Sequence, residues 1–283
     1  GILHGLGPDE LRYFVYQPKH LAEFPNNAQA YGEVPWFTPA VFYHQMGWFD
    51  RNVSNLHKLP PMEEAQRLVA MMGGRGKVLE AAKESLAKRE LAWAAQLGNY
   101  VYTVDPKDAD ARKLLADVYR AMGQTSLSVI GRSFLLSEAR AMEGTVQIPR
   151  VVPAKPEIIA GQPGFFVDMY RVRIDPRKAE NTDKMVVFNF SNGTSVGLHV
   201  RRGIAEFVPD PSKHYKPADV TATVDANTWA ALYVNSTTVD EAAQKGGLKL
   251  TQGSLEDLKT VLDLFDKFDP AMNYTIPMNE KEF

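Results

Sequence analysis

The stretch Gly47-Trp48-Phe49-Asp50-Arg51-Asn52, followed by Leu59-Pro60-Pro61, is where this chain changes character. Upstream lie Phe24, Tyr31, Trp36, Phe37, Phe42, Tyr43, Trp48 and Phe49, among Pro18, Pro25, Pro35 and Pro39. Downstream a helical period takes over. A glycine beside two large aromatics lets backbone come close while the rings bury area. The proline pair ends one element and opens the next. A helix is expected to start at Pro8-Asp9-Glu10, before Leu11, Phe14 and Val15. The later prolines are expected to break any long helix before residue 60. An arm with this many rings needs something to pack on: its own helical domain, a twin subunit or a further domain.

From residue 62 to 144 the pattern predicts helices over Glu63–Met72, Lys77–Arg89, Ala92–Val104, Asp108–Met122 and Leu127–Glu143. Gly73-Gly74, Gly123 and Gly144 are the stop signals. Residues 90–123 resemble one tetratricopeptide hairpin. Trp93, Leu97, Gly98 and Tyr100 lie on its first helix, and Asp105-Pro106 closes it; Ala111, Leu114, Leu115, Val118, Tyr119 and Gly123 mark the second. One such unit cannot bury its own face, so flanking helices or a partner must cover it. Gly73-Gly74-Arg75-Gly76-Lys77 is not a phosphate loop: Met71 stands where the first glycine belongs, and Val78 follows the lysine.

Residues 145–163 shift composition, with Pro149, Val151-Val152-Pro153, Pro156, Gly161 and Pro163, and read as a linker. Beyond it the period is two. Val186, Phe188 and Phe190 alternate, Ser191-Asn192-Gly193-Thr194 turns, and Val196, Leu198 and Val200 alternate again. Arg202-Gly203 turns into Ile204–Val208, and Val220, Ala222 and Val224 form a fourth strand. Asp225 caps a helix with Trp229, Leu232 and Tyr233. Ser254-Leu255-Glu256-Asp257 starts another, with Leu255, Leu258, Leu262 and Phe265 on one face. This predicts a four-strand meander covered by helices, an α+β layer.

The chain has 283 residues, 45% hydrophobic and 23% charged, which fits a globular protein of more than one domain. A net charge of −2 and the lack of any basic block argue against nucleic acid and anionic membranes. Cysteine is absent, which excludes thiol chemistry, disulfides and Cys-bearing zinc sites. That fits cytoplasm and bacterial periplasm equally. No apolar run reaches the length of a membrane span. The start Gly1-Ile2-Leu3-His4 lacks signal-peptide features and an initiator methionine, so it reads as a processed or truncated end.

The segment at 47–53 resembles the Gly-aromatic-Phe-Asp-Gly-Asn-Pro segment of the metallo-β-lactamase-type alkyl sulfatases, and the resemblance runs through the chain in order. Residues 1–59 are similar to the arm leaving that family's catalytic domain, and 60–144 to its helical dimerisation domain. After the 145–163 linker, residues 164–283 are similar to its α+β C-terminal domain of sterol-carrier type. The family's zinc pair needs a His-x-His-x-Asp-His cluster. The histidines here are His4, His20, His44, His57, His199 and His214, and no two form His-x-His. The resemblance therefore implies the non-catalytic part or subunit of a zinc-dependent alkyl sulfatase. Such a part pairs as a homodimer, binds no cofactor itself, and works with a metallo-β-lactamase-fold catalytic domain on an amphiphilic alkyl substrate. A dimeric carrier of lipids or other hydrophobic ligands, or a scaffold protein without enzymatic activity, is the alternative.

Candidate site residues follow from the same resemblance. Tyr43, His44 and Trp48 would stand at the edge of the active site. Gln45 replaces a tyrosine of the family's pattern, and Arg51-Asn52-Val53 replaces Gly-Asn-Pro. A tunnel between sheet and helices would be lined by Phe165, Phe166, Met169, Phe188, Leu198, Trp229, Leu262 and Phe265. Burying a methylene there gains about 0.8 kcal/mol. Asn52, Asn189, Asn192 and Asn235 match glycosylation triplets, with Asn192 already explained by its turn; Arg201-Arg202 reads as a solvated hairpin end.

Overall fold

The computed structural model describes residues 1–146, 148 and 154–267. They fall into two compact units, one up to residue 148 and one from residue 154. Pro149, Val151, Val152 and Pro153 of the expected linker, and residues 268–283 of the expected C-terminal domain, lie outside the described residues.

The first unit is helical: α1 Pro8–Phe14, α2 Lys19–Ala22, α3 Val34–Met46, α4 Pro61–Met71, α5 Arg75–Ala87, α6 Leu91–Val104, α7 Ala109–Thr125 and α8 Val129–Met142. The expectation that prolines break every long helix of the arm fails at α3, whose 13 residues include Pro39 in the interior. Pro35 sits in the first turn, where its missing N–H would have no partner anyway. Pro39 deprives the Pro35 carbonyl of its helical donor, and Arg12 Nη1 of α1 donates to that carbonyl instead at 3.1 Å. Leu11 and the fully buried Phe42 help hold α1 on α3.

Gly73 and Gly74 end α4 at φ 93° and 94°, with Gly74 N–H donating to the Val69 carbonyl at 2.8 Å, so the helix-break reading of this glycine cluster holds. Gly123 does not end α7, which continues to Thr125. A Cβ at Gly123 would meet Leu136 Cδ2 at 2.8 Å, so close packing by α8, rather than a stop, requires the glycine. Likewise a Cβ at Gly98 would meet Leu115 Cδ2 at 2.9 Å, where α6 lies against α7. The core is built by Val78, Leu79 and Ala82 of α5, Leu97 and Val101 of α6, and Leu114, Leu115 and Val118 of α7.

Polar ties fix these helices. Asp108 caps α7 by accepting from Asp110 and Ala111 N–H at 3.1 and 3.0 Å, and also receives Arg75. Arg112 donates to the Ala141 and Met142 carbonyls at 2.9 and 3.0 Å, closing the end of α8. The arm packs on its own helices: Ser128 Oγ donates to the Tyr31 carbonyl at 2.9 Å, and Val129 N–H to Ala30 at 2.6 Å. Trp36 lies against Gly131, where a Cβ would meet its ring at 2.6 Å.

The second unit holds helices α9 Pro156–Gly161 and α10 Pro163–Asp168, then β1 Asp183–Phe190, β2 Ser195–Arg201, β3 Ile204–Val208 and β4 Val220–Val224. Helices α11 Ala226–Tyr233 and α12 Val239–Gln244, strand β5 Leu248–Gln252 and helix α13 Leu255–Leu262 follow. Both α9 and the start of α10 lie within the stretch expected as linker, and Ile159 is fully buried in this unit's core.

The expected four-strand meander is corrected. The sheet has five strands in the order β3-β2-β1-β4-β5, and β4 runs parallel to β1. β5 escaped the sequence reading because Leu248-Lys249-Leu250-Thr251-Gln252 is short and mostly polar on its exposed face. Two turns are as expected: Asn192 Oδ1 accepts from Thr194 N–H at 3.0 Å, and Arg202 and Gly203 take φ 50° and 80°. Asp225 caps α11 by accepting from Thr228 N–H at 2.9 Å. Among the described residues the reciprocal capping box is at Thr238 and Glu241. At Ser254 only the side-chain cap on Asp257 N–H is present. Phe265 lies beyond α13, in an isolated bridge with Ile174.

The sheet is buried on two faces. Val186, Phe188, Phe190, Val196, Leu198 and Val200 face the helices, with Trp229, Leu258 and Phe265 among the covering side chains. Met185, Val187 and Val208 point the other way and meet Ala218 of the connection 209–219.

Candidate functional site

In the second unit, Tyr170 follows α10 in a short 3-10 segment, Met169–Arg173. Its ring centroid lies 4.9 Å from Phe265, 5.5 Å from Tyr233 and 5.7 Å from Trp229. Phe188 stands 4.9 Å from Trp229, and Phe166 stands 5.1 Å from Tyr233. These tilted and edge-on contacts are the favoured geometry for rings and make one interlocked cluster. Burial pushes the Tyr170 hydroxyl up to about 12 against the opposing pull of Arg173, so it stays a neutral donor.

At the edge of this cluster opens a cavity of about 250 Å³. Its apolar wall is Tyr170, Leu232, Val239, Leu262 and Phe265. Its rim carries Lys259 and Lys267 with Asp240 and Asp263, and the neutral polar residues Asn235, Thr237 and Thr238, while the buried Arg173 also lines it. An apolar cavity of about 150 Å³ already holds benzene. This one therefore has room for a length of alkyl chain with its polar end at the rim.

The buried Arg173 guanidinium lies 4.9 Å from the Tyr170 centroid and 5.0 Å from that of Tyr233, and donates to the Asp266 carbonyl at 2.9 and 2.6 Å. Lys259 pairs with Glu256 at 2.9 Å and Asp240 at 3.3 Å, and Lys267 with Asp263 at 3.0 Å. Solvated pairs like these are weak, so an anionic headgroup can compete for the lysines.

Of the eight residues expected to line a tunnel, Leu262 and Phe265 line this cavity. Phe166, Phe188, Leu198 and Trp229 are buried in the core cluster, Met169 packs partly buried against it, and Phe165 is half exposed. Sequence reasoning missed Tyr170, Arg173, Leu232 and Val239 as cavity residues. The run Tyr170-Arg171-Val172-Arg173 was the available signal, an aromatic beside cations at the entrance to the domain.

In the first unit, Tyr43, His44 and Trp48 are all exposed at the end of α3 and in the turn after it. Gly47 closes the helix at φ 82°, and Trp48 lies beside Phe49 with centroids 5.7 Å apart. Asp50 Oδ1 accepts from Asn52 N–H at 2.9 Å. That bond, with one from the Asn55 side chain, holds the Asp50 carboxyl below the usual range. Arg51 is held at φ 71°, a conformation natural to glycine. His4, His20, His44 and His57 are exposed, whereas His199 and His214 lie together in the second unit with ring centroids 5.0 Å apart. Among the described residues no helix is long and apolar enough to cross a membrane.

A model of the alkyl sulfatase dimerisation family matches residues 8–145, and a model of the alkyl sulfatase C-terminal family matches residues 154–277. A linear primary-alkylsulfatase of Pseudomonas sp. is 32% identical over 286 residues, covering 96% of this chain and 53% of the relative. An (R)-specific secondary-alkylsulfatase of Pseudomonas sp. is 28% identical over 255 residues, covering 88% of this chain and 37% of the relative. The solved structure of the stereoselective inverting sec-alkylsulfatase Pisa1 from Pseudomonas sp. superimposes with a TM-score of 0.78 at 27% identity. The match covers 96% of this chain and 43% of that one. The chain spans about half, or less, of the length of the curated relatives it matches.

Proposed function

Because this chain belongs to the alkyl sulfatase family, through its dimerisation and C-terminal domains, we propose that it is the pairing and tail-binding part of a sulfuric-ester hydrolase acting on amphiphiles. The first unit, tetratricopeptide-like in its α6–α7 hairpin, associates two copies. The second, sterol-carrier-like in its sheet and covering helices, receives the alkyl tail. The observation that carries this reading is the cavity beside Tyr170, with an apolar wall and a charged rim that includes Lys259 and Lys267, in a volume of about 250 Å³. That pairing of surfaces matches a greasy tail bearing an anionic head.

The family's chemistry uses a zinc pair in a metallo-β-lactamase-type catalytic domain. The residues here do not fit a pair: among those described, one group offers three donor atoms, His199, Glu206 and His214, too few for two ions. The hydrolytic step is assigned to a separate catalytic domain or subunit.

Calorimetric titration with dodecyl sulfate, kept below its micelle concentration, tests the binding role. Saturable binding is expected, weakened by Leu262→Arg at the cavity wall. Absence of saturable binding, or full affinity in Leu262→Arg, defeats the proposal. Hydrolysis of dodecyl sulfate by this chain with zinc, at the rate of an intact sulfatase, would overturn the division of labour. Light scattering tests pairing, and a monomer at micromolar concentration counts against it.

A further inference from the structure

We propose that His199, Glu206 and His214 form a binding site for one divalent transition-metal ion of the zinc class, on the sheet face turned away from the helices. The strand register builds it. Met185 of β1, His199 of β2 and Glu206 of β3 are cross-strand neighbours. Alternation puts Asp183 and His199 on this same face, opposite to Val186 and Leu198. The connection 209–219 then brings His214 and Tyr215 against His199. One donor atom from each of His199, Glu206 and His214 lies within 4.8 Å of the others, and His199 Nδ1 is 4.0 Å from Glu206 Oε2.

The two rings are set up as metal ligands. His199 is 1% exposed, and its Nε2 bonds Asp183 Oδ1 at 2.9 Å. The carboxylate keeps the proton on Nε2 and leaves the Nδ1 lone pair facing Glu206 and the Tyr215 hydroxyl, 3.5 Å away. His214 Nδ1 faces both the carbonyl and the N–H of Lys216, at 3.3 and 3.2 Å, so either tautomer is supported there. With the proton on Nδ1 and bonded to the carbonyl, Nε2 becomes a lone pair. That Nε2 is buried and has no hydrogen-bond partner among the described residues. A histidine anchored at one nitrogen by a carboxylate or carbonyl, with the other nitrogen free, is the outer-shell arrangement typical of metal ligands. A proton-donating partner or an ion would also relieve the cost of the orphaned nitrogen.

Two imidazoles and one carboxylate select zinc and its neighbours over calcium or magnesium, which prefer oxygen. Tetrahedral bonds of about 2.0–2.2 Å place donor atoms roughly 3.4 Å apart. The donor atoms must draw together from their present spacing, within 4.8 Å, and Glu206, half exposed on edge strand β3, is free to move towards the two rings. Tyr215 or water takes the fourth position. The nearby Lys216 ammonium is paired with Asp183 at 3.2 Å and Asp219 at 3.6 Å, which offsets its repulsion of a cation. Bound there, the ion would join β2, β3 and the 209–219 connection.

The test uses the 283-residue chain after chelator treatment, titrated with zinc chloride by calorimetry and with cobalt chloride by visible absorption near neutral pH. Expected are one ion per chain and the cobalt spectrum of a four-coordinate nitrogen–oxygen site. Affinity should fall at least about tenfold in His214→Gln and in Glu206→Gln, with unchanged circular dichroism. His20→Gln, which alters an exposed imidazole of the first unit, should leave affinity intact. Wild-type affinity in both His214→Gln and Glu206→Gln, or no saturable binding at millimolar zinc, overturns the site and leaves a hydrogen-bond network.

Discussion

Tyr13, Trp48 and Phe134 of the first unit are largely exposed, whereas Phe188, Trp229 and Phe265 of the second are enclosed. The contrast follows from architecture. A row of helices covers one apolar face with another and leaves its outer faces open. A sheet with helices on one face and the 209–219 connection on the other closes on itself. The arm adds rings to the open unit without closing it, because it is held by a few points: the Tyr31 and Ala30 carbonyls and the Trp36 ring. Large apolar area left in water is characteristic of association surfaces, in keeping with the dimerisation family that this unit matches. The two units should therefore fail differently when disturbed.

The largest effect is expected in the enclosed unit. Trp229→Ala removes a fully buried ring that touches Phe188, Phe190, Tyr170 and Tyr233. The expected loss is roughly 3–5 kcal/mol, seen as a lowered denaturant midpoint of the sheet domain while the first unit's share of the helical signal is retained. Simultaneous loss of both units would break the comparison.

The next effect separates arm from helices. Gly131→Ala places a Cβ 2.6 Å from the Trp36 ring, so the ring or the helix must shift to admit it. Helix propensity favours alanine by about 1 kcal/mol, but the overlap costs about 1–3 kcal/mol. A net loss of about 1 kcal/mol is expected, with faster proteolysis in residues 24–46 and a red-shifted tryptophan emission. Unchanged proteolysis would mean that Trp36 does not anchor the arm.

Much of this contrast was legible in the residues. The five helices after residue 60 and the 191–194 turn follow from glycine placement and period, because those signals are local. Gly123 misled because a glycine needed for close packing looks the same as one that ends a helix. Pro39 misled because the carbonyl it leaves open, that of Pro35, is satisfied by Arg12 from 23 positions away, a partner no local pattern contains. The parallel pairing of β1 with β4 and the strand β5 are non-local as well. The cavity was half legible: Leu262 and Phe265 stood in a visible apolar pattern, whereas Tyr170 and Arg173 reach it only through the fold. The grouping of His199 with His214 was invisible to a search for adjacent histidines, since strand register and a crossing connection bring them together.

A smaller effect concerns how the open unit resists acid. Hydrogen bonding from Arg75, then the Ala111 and Asp110 N–H groups, holds the Asp108 carboxyl below its usual range despite burial. A carboxyl lowered by folding contributes stability above the unfolded value of about 3.9, lost as pH falls through the folded value. The helical unit should therefore weaken below about pH 4. Asp108→Asn keeps the cap but loses the charge, and should flatten that acid limb while costing about 1 kcal/mol at neutral pH. An acid limb unchanged in Asp108→Asn would assign it to other carboxylates.

The smallest expected change is a gain. The junction that divides arm from helices holds Arg51 at φ 71°, between Asp50, whose carboxylate fixes the turn, and Asn52, which caps the next one through Ser54 N–H at 3.1 Å. A side chain in this left-handed region costs about 1–2 kcal/mol, and glycine carries no such cost. Glycine also has more freedom to lose on folding, which takes back about 0.5–1 kcal/mol. The difference predicts that Arg51→Gly stabilises the first unit by up to about 1 kcal/mol, read as a raised thermal midpoint. A lowered midpoint would mean that the exposed guanidinium supplies more than the backbone strain removes, and that the junction is held by its side chains rather than by its turns.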